Sequence, residues 1–241
     1  MYRYFISLLA LLSVYMGTAQ KAKDTIKYSE KYGLRVGVDL SRLVRSFLDD
    51  NYSGLELMAD YRISKRFFIA GEIGTEENTV DEDFFNFTSN GSYIKAGFDY
   101  NTYQNWYGMQ NLIFVGMRYG FSTFSQTLNS YIVNNTNQYF DEGLIPGANP
   151  DLLREFNNLN AHWVEGVVGL KVELFNNLFL GASVRLNFLI TDQASEVLPN
   201  LWVPGFNRVT QDSSIGLGYN YGLSYLIPIY RKKKGIINIE E

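Results

Sequence analysis

Apolar and polar positions alternate along most of this chain. In residues 32–42, Leu34, Val36, Val38 and Leu40 oppose Gly33, Arg35, Gly37, Asp39 and Ser41. In 54–63, Leu55, Leu57, Ala59, Tyr61 and Ile63 oppose Glu56, Met58, Asp60 and Arg62. The same period returns in 67–75 around Ile69 and Ile73, in 92–100 around Ile94 and Phe98, and in 112–124 from Ile113 to Phe121. It recurs in 162–174, in 178–190 and in 213–229. Period two sends the two sets to opposite faces of a strand. The pattern therefore predicts about eight antiparallel strands, or ten if the segment 125–160 hides a further hairpin.

The connections alternate short and long. Ser64-Lys65-Arg66 and Asn176-Asn177 read as tight turns. Residues 76–83 read as an acidic loop, a polar link passes through Trp106, and 125–160 and 191–210 read as long loops. Asp151 is placed to cap a short helix reaching Phe156. One strand face is continuously apolar, whereas the other carries charges among glycines. A crowded polar lumen and a lipid-facing wall account for that polarity, whereas a soluble barrel puts its charges outside. The fold class expected is all-β, a transmembrane up-and-down barrel with both termini on one side.

On this register the lumen receives Arg35, Asp39, Glu56, Asp60, Arg62, Glu72, Lys95, Asp99, Arg118, Glu165, Lys171, Glu173 and Arg185. Eight strands enclose just enough room for side chains. Opposite charges there should pair into a plug; a selective ion path is the competing reading.

Residues 1–19 read as a secretory signal: Arg3 is the positive end, 4–14 the apolar run, and Gly17-Thr18-Ala19 the small residues before a cut. The run is shorter than the roughly 20 residues of a spanning helix. Residues 20–31 then form a basic N-terminal segment, 32–230 the barrel, and 231–241 a C-terminal tail. With a secretory signal, both ends are expected in the periplasm. There Lys21, Lys23, Lys27, Lys31 and Arg231-Lys232-Lys233-Lys234 meet anionic lipid, an acidic partner or only solvent.

Composition narrows the chemistry. The chain has no cysteine, which removes disulfides, thiolate metal sites and an acylated N-terminal cysteine. Its net charge of −4 makes no case for nucleic acid. Its 18 Tyr among 16% aromatic residues suit the two interfaces of a membrane. His162 is the single histidine; a hydrolase would have to bring it to Ser122 or Ser125 and to Asp141 or Glu142. The acidic stretch 76–83 lacks the spacing of a calcium loop. No cofactor or metal is expected, and no enzyme.

The mature start at Gln20, the strand Tyr32-Gly-Leu-Arg-Val-Gly-Val-Asp39, the segment Gly108-Met-Gln-Asn-Leu-Ile-Phe-Val-Gly-Met-Arg-Tyr-Gly-Phe-Ser-Thr-Phe124 and the ending Tyr225-Leu-Ile-Pro-Ile-Tyr-Arg-Lys-Lys-Lys234 resemble a family of Bacteroidota outer-membrane barrels. The chain is also distantly similar to PorT-like barrels. The resemblance implies an accessory role in an envelope machine, either barrel assembly with its surface lipoproteins or type 9 secretion. It brings no catalytic residues. Besides outer-membrane lipid, the implied partners are other barrels and surface lipoproteins. Tyr131, Ile132, Leu144, Ile145, Trp202 and Phe206 are the candidate contacts, unless they pack on their own barrel.

Overall fold

The computed structural model describes residues 29–105, 109–133, 145–146, 152–194, 199–209 and 214–233. The elements run β1 (Ser29–Asp39), α1 (Leu40–Leu48), β2 (Tyr52–Arg62), β3 (Phe67–Glu82), β4 (Phe85–Asn101), β5 (Leu112–Val133) and β6 (Ile145–Pro146). Then follow β7 (Glu155–Phe175), β8 (Leu178–Gln193), β9 (Trp202–Val203), β10 (Asn207–Arg208) and β11 (Ile215–Lys233). Eight of these strands pair antiparallel with their neighbours in a ring: β1, β2, β3, β4, β5, β7, β8 and β11. β11 closes the barrel on β1, with Ser29 opposite Lys233, so both termini leave from the same end. β6 adds two residues to the edge of β5 and crosses nothing. The barrel therefore has eight strands, not ten.

The wall is inverted relative to a soluble protein. Outward positions stay exposed and apolar: Ile73 at 57%, Val168 at 58% and Leu217 at 72%. Inward positions hold buried Glu56, Glu72, Lys95, Arg118, Glu165 and Arg185. Lipid is the environment in which such a wall is satisfied, and closure leaves no unpaired edge inside it. This is a transmembrane barrel.

The wall is also uneven. β1 and β2 have 11 residues each, close to the 9–11 or so that a tilted strand needs to cross. β5 has 22 and β7 has 21, roughly twice that need. The outward side of the tall part becomes polar above the apolar belt. On β3 it passes from Ile73 to Thr75, Glu77 and Thr79, and on β4 from Ile94 to Ser92, Asn90 and Thr88.

Several expected boundaries move. Residues 76–83 are not a loop: β3 continues to Glu82 and turns at Asp83-Phe84 into β4. The segment 125–160 is largely strand at its ends, through Val133 and again from Glu155. The expected short helix does not form there, since Glu155 and Phe156 lie in β7; Asp151 itself is outside the described residues. β1 starts at Ser29 and β11 ends at Lys233, so the barrel exceeds 32–230 by three residues at each end. Lys21, Lys23, Lys27, Lys234, Trp106 and residues 1–19, expected to be a signal, lie outside the described residues.

The strand expected through Arg42 stops at Asp39. The Asp39 carboxylate accepts from the Ser41 N–H at 2.7 Å and caps α1. Leu40, Leu43, Val44, Phe47 and Leu48 follow at helical spacing, which overrides the short alternation before them.

Candidate functional site

The lumen is filled in layers. Nearest the termini, Phe68, Leu112, Phe114 and Val167 form a buried apolar cluster. Above it Arg35 donates to Asp60 at 2.9 and 3.1 Å, and its guanidinium lies 4.6 Å from the Phe179 ring. Asp60 also accepts from Lys171 at 2.6 Å. Arg35 and Asp60 face each other directly across β1 and β2.

The middle layer is the most tightly coupled. Arg185 reaches Glu72 at 2.5 and 3.1 Å, Glu165 at 3.3 Å and Glu56 at 3.8 Å. Lys95 sits among the same three carboxylates at 3.1–3.6 Å. Arg118 bridges Asp99 at 2.8 Å and Glu72 at 3.5 Å. Every charge here faces several opposite charges, which is the condition under which buried ions are tolerated. Between this layer and the one below lies a space of about 30 Å³, reached by Asp60, Glu72, Arg118 and Lys171.

The upper layer comes from segments that alternation does not describe. Arg42 on α1 bonds Glu76 at 2.7 Å and Tyr52 Oη at 2.9 Å, and it lies 3.4 Å from Glu56. Tyr93 donates to Glu56 at 2.7 Å. β9 and β10 form a small hairpin that folds back into the mouth opposite the termini. Buried polar contacts tie it down, among them Ser89 Oγ to the Trp202 carbonyl at 2.9 Å, the Gly205 N–H to Glu76 at 2.9 Å, and Asn187 to the Phe206 carbonyl at 3.2 Å. Gly205 has φ +84°, and a Cβ there would meet the Tyr93 ring at 2.6 Å, so the turn requires glycine. Val203 and Phe206 are fully buried with Trp163, Phe124 and Phe156 in the mouth's apolar cluster. Clefts of about 460 and 210 Å³ flank this lid on the loop side.

The expected lumen set thus divides. Arg35, Asp39, Glu56, Asp60, Glu72, Lys95, Asp99, Arg118, Glu165 and Arg185 are buried within the barrel, and half-buried Lys171 joins them. Arg62 and Glu173 stand apart at the terminus end, paired with Glu30 at 2.9 Å and Lys31 at 3.7 Å. Arg42 and Glu76 belong to the network and were not expected in it.

The partner contacts need correction. Trp202 and Phe206 are buried on their own barrel, because the hairpin folds inward rather than out. Tyr131 packs half-buried beside the same cluster. Ile132 and Ile145 sit on the paired backbones of β5 and β6, their side chains undescribed, and Leu144 lies outside the described residues. Arg231 and Lys232 are exposed strand residues, with Lys232 4.7 Å from the Tyr32 ring.

His162 points to the outside of the wall, where it bonds Tyr119 at 2.8 Å and packs 4.8 Å from Phe121. Ser122 lies on the opposite face and donates to the Ser92 carbonyl. A strand cannot bring these two faces together, so the Ser122–His162 pairing is not made. Ser125 lies on β5 beyond the Phe124 bulge, and Asp141 and Glu142 are outside the described residues.

Closed eight-strand topology, an apolar exterior and a charged interior define a transmembrane β-barrel of the outer-membrane type. Within that class the chain belongs to the family described as a domain of unknown function, DUF6048, which it matches over residues 1–232. No curated protein matches it. Among solved structures it is similar to Ail, the attachment invasion locus protein of Yersinia pestis. That similarity has 8% identity and a TM-score of 0.41, covering 83% of this chain and 99% of the other.

Proposed function

We propose that this protein is a non-enzymatic, non-conducting outer-membrane barrel that serves as an accessory subunit of a larger outer-membrane assembly or secretion complex. In this reading the termini face the periplasm and the lid faces outward. The observation that carries it is the filled lumen: salt-bridged layers and apolar clusters at both ends leave the outer surfaces as the parts free to act. Planar-bilayer recording of the pure protein is expected to show no stable conductance. Discrete single-channel steps would overturn this and favour a small selective channel.

The partner surface then moves from the lid to the tall wall. There Thr79 and Thr88 hydroxyls meet at 2.8 Å, and Asn129 donates to Asn86 at 2.7 Å and Thr88 at 2.9 Å. This is a hydrogen-bonded polar strip beside the apolar belt, in which Asn90 also donates to Glu77 and Asn86 to Asp81, suited to a surface lipoprotein or a second barrel. Affinity purification from native membranes should recover associated outer-membrane proteins. Thr88→Lys with Asn90→Lys should lose them while the unboiled protein keeps its folded gel mobility. Recovery of a lone barrel from the parent protein would contradict the accessory role. Unchanged recovery from the variant would contradict the placement.

A further inference from the structure

Helix α1 presents two faces. Ser41, Arg42, Arg45 and Ser46 make one; Leu40, Leu43, Val44, Phe47 and Leu48 make the other. The polar face is turned inward. Arg42 reaches Glu76, Arg45 lies 3.9 Å from the Tyr52 ring, and Ser46 Oγ accepts from the Gly54 N–H at 2.8 Å. The apolar face is turned away from the protein, with Phe47 exposed at 87% and Leu48 at 82%. In water an amphipathic helix packs the other way round. The helix repeats the inversion of the barrel wall.

Two further observations identify what covers that face. The helix lies against β2 and β11, whose outward Leu55, Leu57, Leu217 and Tyr219 belong to the lipid-facing belt, so its apolar face continues that belt. The strands that flank it, β1 and β2, are just long enough to cross a hydrocarbon core. The turn between them therefore sits at the membrane boundary, not far above it as the tall wall does.

We propose that α1 is an interfacial helix whose apolar face inserts into the acyl chains of the leaflet on the loop side. Lipid is the occupant, and the arrangement is independent of the accessory-subunit reading. Seating in lipid on one side and ion pairing on the other holds Arg42 and Arg45 over the low side of the mouth.

The absence of native cysteines makes the test direct. Phe47→Cys and Leu48→Cys would carry a nitroxide, with Leu57→Cys as the belt reference and Asp50→Cys as the solvent reference. Each would be placed as a single copy in nanodiscs of phosphatidylcholine and phosphatidylglycerol, with folding checked by gel mobility. Labels at 47 and 48 should match the label at 57, relaxed several-fold more by oxygen than by an aqueous nickel chelate. The label at 50 should show the reverse. Labels at 47 and 48 that behave like the one at 50 would overturn the proposal. Shielding that appears only in native membranes would overturn it too, since a protein would then be the occupant. As a second measurement, Phe47→Trp should add emission that lipids brominated near the headgroup end of their chains quench; an increment that resists quenching counts against insertion.

Discussion

Arg185→Leu is expected to destabilise the barrel by about 3–5 kcal/mol, the cost of leaving buried charge without its partner. Arg185 is, with Lys95, one of two cations that reach Glu72, Glu165 and Glu56 together, and it makes the shortest contact, to Glu72. Once it is gone, Lys95 is left facing all three carboxylates, with Arg118 reaching only Glu72 among them and Arg42 only Glu56. Those two guanidiniums make their shorter contacts to Asp99 and Glu76, so part of the carboxylate charge is left uncompensated. Urea unfolding of the protein in detergent micelles, followed by loss of the fast-migrating folded form, would measure the loss. Arg185→Leu with Glu72→Gln should recover part of it, because the second change removes one of the stranded charges. The exposed pair Arg208–Glu82, at 65% and 40% side-chain exposure, gives the contrast. Breaking it should cost at most about 1 kcal/mol. A loss below about 1 kcal/mol for Arg185→Leu would mean that the lumen is solvated and not a buried network.

Much of that interior was legible from periodicity. Period two separates Arg35, Glu56, Glu72, Lys95, Arg118, Glu165 and Arg185 from the apolar positions, because lipid and lumen make opposite demands on adjacent residues. The signal ends where the lipid ends. Above the belt, β3 reads Glu76, Glu77, Asn78 and Thr79, polar on both faces, so a strand there looks like a loop. Glu76 was missed for that reason, although the register of β2 and β3 places it opposite Gly54 and inside. Arg42 was missed because alternation was carried past Asp39. The spacing of Leu40, Leu43, Val44, Phe47 and Leu48, with Asp39 as cap, was the readable sign of a helix. The lid was beyond reach of pattern. Trp202, Val203 and Phe206 look alike in sequence whether a loop turns out toward a partner or back into the mouth. Only the fold brings Ser89, Glu76 and Asn187 to the hairpin's backbone.

That inward lid carries the second large effect. Phe206→Ala is expected to cost about 3–5 kcal/mol, the usual range for emptying a fully buried aromatic site. Phe206 is 0% exposed, and its ring meets Trp163 edge-on at 6.0 Å between centroids. The loss should fall on the lid and not on the barrel. β9 and β10 pair only with each other and share no ladder with the wall, so side-chain anchors are what hold them closed. Opening is therefore a local transition, below the global unfolding energy. A shift of that size raises the open population by roughly two to four orders of magnitude. Limited proteolysis of the protein in nanodiscs should show it as faster cleavage within residues 199–209, while the unboiled form keeps its folded mobility. Trp163 contributes the matching ring, and its indole N–H also donates to Glu165 at 2.7 Å. Trp163→Phe should therefore open the lid less than Phe206→Ala does, but disturb the charged layer beneath it more. Cleavage in Phe206→Ala at the parent rate would show that the polar ties alone keep the mouth shut. Loss of the folded form along with faster cleavage would show instead that the lid and the barrel unfold as one unit.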